Sequence, residues 1–225
     1  MVDRMNAPDP GWVAVDHYVA DHLIGDDPAA ALAANEAAGL PDIDVSPAHG
    51  KMLHLFARMC AARRILEVGT LGGYSTIWLA RALPEDGALV TLEIDPHHAR
   101  VARQNVDHAG VGHLVDIRIG PAREALDAMV ANEEGPFDLV FIDADKANNV
   151  AYVRAAIALS RPGTAIVVDN VIREGLVLDD ASDDERVVGT RLLFEAVAAE
   201  PRLSATAVQT VGVKKWDGFM IALVQ

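Results

Sequence analysis

From Arg64 onward the chain alternates short apolar runs with longer segments whose apolar residues recur every three or four positions, and this leaves few folds open. A run that is apolar throughout yet too short for a helix reads as a strand covered on both faces, with the intervening helices as the cover. The strand candidates are RRILEV (63–68), ALVTLEI (88–94), HLVDIRI (113–119), FDLVFI (137–142) and TAIVVD (164–169). Between them lie STIWLARALP (75–84), HHARVARQNVDHAG (97–110), PAREALDAMVANE (121–133) and NNVAYVRAAIALS (148–160), with Pro121 suited to a first helical turn. The expected fold is α/β, a doubly wound and mostly parallel sheet.

After Asn170 the pattern changes. A polar, acidic loop (EGLVLDDASDDER) leads to a helix around 184–199, and RLSATAVQTVGVKKWDGFMIALVQ then reads as two strands joined by a turn near Val213 to Gly218. These bring the sheet to seven strands and give it an antiparallel C-terminal edge. Residues 12–60 read as an N-terminal helical cap, broken by GLPDIDVSPAHG (39–50), a natural flap. No linker or internal repeat divides residues 1–225, so a single domain is expected.

Composition narrows the partners. A net charge of −14 argues against a nucleic-acid backbone, which needs concentrated positive charge. No run approaches the roughly 20 apolar residues of a membrane crossing. The start, MVDRMNAPDPGW, has none of the basic and apolar sections of a secretion signal, so a cytoplasmic protein is expected. Cys60 stands alone in an apolar stretch and reads as a buried small hydrophobe.

Two features carry chemistry. In Glu67-Val68-Gly69-Thr70-Leu71-Gly72-Gly73-Tyr74-Ser75 the glycines follow the first strand and open the first helix, where a ligand can approach backbone donors closely. The spacing is Gly-x-x-Gly-Gly, which departs from the dinucleotide fingerprint. Glu93, at the end of the second strand, is placed to accept ribose hydroxyls, or is simply a solvated strand end. A carboxylate at Glu67 disfavours a pyrophosphate and suits a cofactor with an ammonium and a sulfonium, which favours S-adenosylmethionine over NAD. Glu67 pointing away from the loop would weaken that inference.

The second feature is the pair of strand ends carrying Asp143 and Asp169-Asn170, two carboxylates and an amide oxygen suited to magnesium or calcium. Taken singly, each aspartate is as well read as a helix cap or turn residue, and Asp145 is such a candidate. Lys146, one of four lysines, lies three residues after Asp143, where an adjacent cation would suit it to act as a general base. His97 and His98 read as solvated, His49 as a surface histidine that follows the flap, and Trp78 as core. For Trp216 and Phe219, packing or subunit contact outweighs an aromatic wall for a substrate.

The motifs EVGTLGGYS (67–75), TLEIDP (91–96), FIDADK (141–146) and VVDN (167–170), in this order, resemble the cation-dependent O-methyltransferases, the group that includes catechol O-methyltransferase and plant caffeoyl-CoA O-methyltransferase. The resemblance spans roughly residues 40–225 and implies a Rossmann-like methyltransferase fold. It implies that Asp143, Asp169 and Asn170 hold Mg²⁺, or Mn²⁺ or Ca²⁺ in its place, and that Lys146 takes the phenolic proton, with Asp143 bordering both cofactor and reaction. Glu67, Gly69 and Ser75 match positions at the amino-acid end of S-adenosylmethionine, Glu93 the ribose ligand, Ile94 and Ala122 the adenine flanks, and Val45 a flap contact to the cofactor. Arg123 falls where some relatives place a polar adenine contact.

The implied acceptor is a small molecule with vicinal hydroxyls, and the implied assembly a homodimer. Two departures bear on specificity: Val171-Ile172-Arg173 follows the proposed ligands where plant-like relatives carry a Trp, and the late Glu of the animal catechol enzyme is missing. Arg173 is placed equally well to meet a carboxylate, Glu174 or solvent. The competing readings are a nicotinamide-dependent oxidoreductase and a non-catalytic cofactor-binding protein.

Overall fold

The apolar runs form one sheet in the computed structural model, which describes residues 8–225; the first seven residues of the segment read as carrying no secretion signal lie outside the described residues. The strands are β1 (Arg64–Val68), β2 (Ala88–Glu93), β3 (Val115–Ile119), β4 (Phe137–Ile142), β5 (Ser160–Asp169), β6 (Leu203–Gly212) and β7 (Lys215–Val224), in the spatial order β3-β2-β1-β4-β5-β7-β6. β3, β2, β1, β4 and β5 are parallel, and β7 runs antiparallel between β5 and β6. The strand order reverses between β1 and β4, and in an open parallel sheet that reversal leaves a crevice at the carboxyl ends of those two strands.

Alternating side chains build two cores, which is why the central strands are apolar at every position. Ile65, Leu89, Leu139 and Val167 face α3 (Pro47–Met59), α4 (Tyr74–Ala80) and α5 (Pro96–His108). Leu66, Val90, Val140 and Ile166 face α6 (Ala122–Ala131), α7 (Asn149–Ala158) and α8 (Glu185–Ala198). Trp78 is fully buried in the first core, as its helical spacing predicts.

Several boundaries move. The N-terminal cap is three helices, α1 (Pro10–Leu23), α2 (Ala29–Ala37) and α3, because a second break at Gly25–Pro28 interrupts it. Ser46 caps α3 by accepting from the His49 N–H, so the expected 39–50 loop ends at 46 and His49 stands on a helix. Pro121 is the cap of α6 and precedes its first turn. HLVDIRI opens with a turn of 3-10 helix at Gly112–Leu114, which delays β3 to Val115.

The terminal turn shrinks to Val213-Lys214, because Trp216 and Gly218 pair with Val211 and Gln209 inside the ladder. Gly218 is there for close packing: a Cβ on it would stand 2.3 Å from the Val208 carbonyl oxygen.

Candidate active site

The glycine loop closes over the end of β1 and is shaped by packing. Gly69 has φ +101°, and a Cβ on it would lie 2.3 Å from the Asp143 carbonyl oxygen, so only glycine lets the loop pass the end of β4. A Cβ on Gly72 would collide with the Asn35 amide of α2. The Glu93 carboxylate accepts the loop's own donors, with Oε2 receiving the N–H of Thr70 (3.2 Å) and of Leu71 (2.8 Å) and Oε1 that of Asp95 (2.9 Å). It is buried, so the solvated strand-end alternative does not hold. Beside it Ile94 is 69% exposed, and Ala122 is half-buried at the start of α6 with Arg123 exposed after it.

Glu67 lies beneath the loop with no exposure at all. Hydroxyls of Ser75 (2.6 Å), Thr76 (2.5 Å) and Thr91 (2.7 Å) donate to it. Burial pushes its carboxyl up to about 7, the three hydroxyls offset part of that rise, and the charge of Asp143 adds to it. In this structure the open carboxylate expected at the loop's entrance is instead an internal group, and the half-buried Ser75 is its link to the loop's helix.

At the next strands the acidic residues converge. Ile142 of β4 pairs with Val168 of β5, so Asp143 and Asp169 follow side by side at neighbouring strand ends. Lys146, only 7% exposed, donates from Nζ to Asp143 Oδ1 at 2.7 Å. The carboxyl of Asp169 is raised well above the usual range, first by burial and then by the charge of Asp143, with Lys146 working in the opposite direction. Two mutually repelling carboxylates, one almost dry and the other bound by the Lys146 amine, offer oxygen donors of the kind a hard divalent cation takes. Asn170 follows with a left-handed φ of 56°. Asp145 turns elsewhere, accepting from Asn148 Nδ2 and the Tyr152 hydroxyl; it stands at the N-cap position of the 3-10 turn Lys146–Asn148, but its side chain accepts no backbone N–H there.

A cavity of about 430 Å³ adjoins Asp169 and Asn170. Its wall includes Val45 of the flap, His49, Arg173 and Phe219, whereas Asp143, Lys146 and the glycine loop lie off it. His49 therefore departs from the surface reading: burial lowers its pKa, its Nδ1 stands 3.8 Å from Asp169 Oδ1, and its ring meets those of Phe141 and Phe219. His97 also departs from it, with Nε2 at 3.0 Å from the Ala38 carbonyl. Cys60 is half-buried, with burial raising its thiol pKa. Trp216 packs its ring on Gly175 and donates to Gln209, as the packing reading expects.

One group has no local signal in the sequence. Asn105 Nδ2 donates both to the Gly72 carbonyl (2.8 Å) and to Asn35 Oδ1 (2.9 Å), and Asn35 Nδ2 donates to Asp44 of the flap (3.1 Å). Two buried amides thus join the flap to the glycine loop.

Fold and site together define an α/β protein with an acidic, lysine-bearing crevice at its switch point. The chain belongs to the O-methyltransferase family, whose model matches residues 29–223. It is 53% identical over 227 residues to a catechol O-methyltransferase of Mycobacterium tuberculosis, covering 100% of this chain and 99% of that protein. The structure of an O-methyltransferase from Bacillus cereus in complex with SAH superposes with a TM-score of 0.93 at 52% identity, covering 96% of this chain and 99% of that one. The TomG O-methyltransferase of Streptomyces achromogenes, involved in tomaymycin synthesis and solved with SAM, superposes with a TM-score of 0.92 at 45% identity, covering 96% and 97%. Membership makes this chain an enzyme that moves a methyl group to a hydroxyl oxygen, which removes the oxidoreductase and non-catalytic readings.

Proposed function

We propose that the protein transfers the methyl group of S-adenosylmethionine to one hydroxyl of a catechol-type or caffeoyl-type small molecule, with a divalent cation, Mg²⁺ or else Mn²⁺ or Ca²⁺, held by Asp143, Asp169 and Asn170. The observation that carries this is the meeting of Asp143, Lys146 and Asp169 at the ends of β4 and β5, beside a cavity large enough for one aromatic ring. The catechol O-methyltransferase of Mycobacterium tuberculosis and the SAM and SAH complexes of the two solved relatives support the same donor and acceptor class.

S-adenosylmethionine would supply an electrophilic methyl group, and a cation held by Asp143, Asp169 and Asn170 would lower the pKa of a phenol and hold vicinal oxygens. The chain's own residues do the rest. Lys146 Nζ takes the proton of the reacting hydroxyl, and Asp143, hydrogen-bonded to that amine, fixes its position. Glu93 with the apolar face of Ile94 and Ala122 suits a ribose and adenine, while Gly69, Ser75, Asp143 and the backbone of Val45 border the donor's other end, above the buried Glu67. Transfer is then a direct substitution governed by orientation, with no covalent enzyme intermediate.

The test is methyl transfer to ortho-diphenols and caffeoyl esters, followed by mass spectrometry with and without EDTA. Turnover should need a divalent ion and should vanish in Asp143→Ala and Asp169→Ala while circular dichroism stays native; activity that survives EDTA or either variant would remove the cation assignment. We also infer a homodimer and a cytoplasmic location. The dimer is supported by α1, which has no buried residue and exposes Val15, Tyr18 and Leu23. No helix among the described residues is long and apolar enough to cross a membrane.

A further inference from the structure

Arg173 lines the cavity wall with Asn170, and the reaction above leaves it without a task. Its side chain is only 22% exposed. Among the described residues no acceptor stands within hydrogen-bond distance of the guanidinium: Nε is buried without a partner, and the nearest carboxylate oxygen, Asp217 Oδ2, is 3.9 Å from Nη1. Asp217 is already committed, because its Oδ1 accepts the backbone N–H groups of Ile172, Arg173 and Gly218, each at 3.0 Å. Of the other acids of this wall, Asp16 accepts from the Val213 N–H (2.8 Å), Asp42 pairs with Lys214 (2.6 Å), Asp44 pairs with Asn35 (3.1 Å) and Asp169 faces His49 Nδ1 at 3.8 Å. No ion pair joins Arg173 to Glu174. A guanidinium presents five donors in a planar fork that matches a carboxylate, and leaving them unmade in a half-dry site is costly.

We propose that Arg173 binds a carboxylate carried by the acceptor, so that the cavity selects acidic ortho-diphenols, dihydroxybenzoates or dihydroxycinnamates, over neutral and cationic catechols. The inference rests on the hydroxyl methylation proposed above and adds which acceptors that site takes. Arg173 follows Asn170 by three residues, and its left-handed φ of 55° turns the chain within the cavity wall. An acceptor whose vicinal oxygens a cation at Asp143, Asp169 and Asn170 would hold, and whose carboxylate meets Arg173, is fixed at two points, which sets the ring's direction and with it the oxygen that reacts. A carboxylate on the ring and one on a propenoate arm offer the same chemistry at different reach.

The experiment measures kcat and KM for an ortho-dihydroxybenzoate, an ortho-dihydroxycinnamate, their methyl esters and catechol itself, with Mg²⁺ and saturating S-adenosylmethionine. The wild type should prefer at least one acid over its ester by roughly 10- to 100-fold in kcat/KM, carried by KM, the worth of a charge-assisted pair. Which acid gains more reports the reach. Arg173→Gln should bring acid and ester to within about threefold of each other by raising KM for the acid alone, leaving catechol unchanged. Arg173→Lys keeps the charge without the fork and should lose part of the preference; it decides the matter if circular dichroism finds the Gln variant unfolded. Equal kcat/KM for acids and esters in the wild type, or an acid preference undiminished by substitution, overturns the proposal. Catechol turnover without acid preference removes only the Arg173 assignment, whereas no turnover of any of the compounds removes the hydroxyl methylation beneath it as well.

Discussion

Lys146 is nearly shut off from water and touches Asp143, so one substitution separates its role from that of the cation. Lys146→Ala should lower kcat by roughly 10²–10⁴-fold at neutral pH while metal dependence persists; a smaller loss, recovered at high pH, would mean that the cation alone activates the hydroxyl. Glu67 makes a separate prediction through pH. Its carboxyl is raised from 4.5 to about 7 by burial, so between those values the unfolded chain gives up this proton and the fold keeps it. The stability contributed by the neutral carboxyl is whole below 4.5 and is lost as pH rises through 7. Glu67→Gln has no such proton, so the unfolding free energy from urea titrations should fall further between pH 5 and pH 8 for the wild type than for the variant, by about 3 kcal/mol at most. Parallel curves would show that the carboxyl titrates normally. The acids were legible in the sequence because a strand end has one address in an open parallel sheet. Arg173 was half legible: its position was plain, but its lack of a hydrogen-bond partner depends on Asp217, 44 residues later, giving Oδ1 to backbone N–H groups and holding Oδ2 3.9 Å away.

Among the elements, the flap and the glycine loop act as one unit through Asn35 and Asn105. Asn35→Ala leaves a buried Asn105 donor and the Asp44 carboxylate without their partner, a loss of about 1–3 kcal/mol. Hydrogen exchange should speed up selectively at residues 42–45, and affinity for S-adenosylmethionine should fall with it; a uniform loss of protection across the chain would reduce Asn35 to an ordinary core residue. Nothing in the sequence pointed to this unit. Its members sit on two helices and a loop, with partners 9 and 70 residues away, and a polar residue inside a helix carries no periodicity. The strands were legible to within a few residues because burial on both faces writes itself as an unbroken apolar run. The terminal hairpin was misread at its turn, since a Gly that serves close strand packing looks the same in sequence as a Gly that serves a bend.

For the whole molecule, the inferred dimer would cover α1. Tyr18→Asp should shift the sedimentation coefficient toward that of a monomer with folding unchanged; a wild type that sediments as a monomer would end the inference. The two sides of the cleft also differ in how far along the chain their parts are drawn from. The glycine loop, Glu93 and Asp143 come from one continuous stretch, β1 to the end of β4. The cavity wall needs partners from opposite ends: Asp16 of α1 accepts from Val213, 197 residues on, and Lys214 reaches back 172 residues to Asp42. On the ribosome, the side assigned to the methyl donor therefore has all its parts while the tail of the chain is still being made, and the side assigned to the acceptor waits for the final hairpin. A nascent chain stopped before β7 carries every residue assigned to the donor but lacks Asp217 and Phe219 of the acceptor wall.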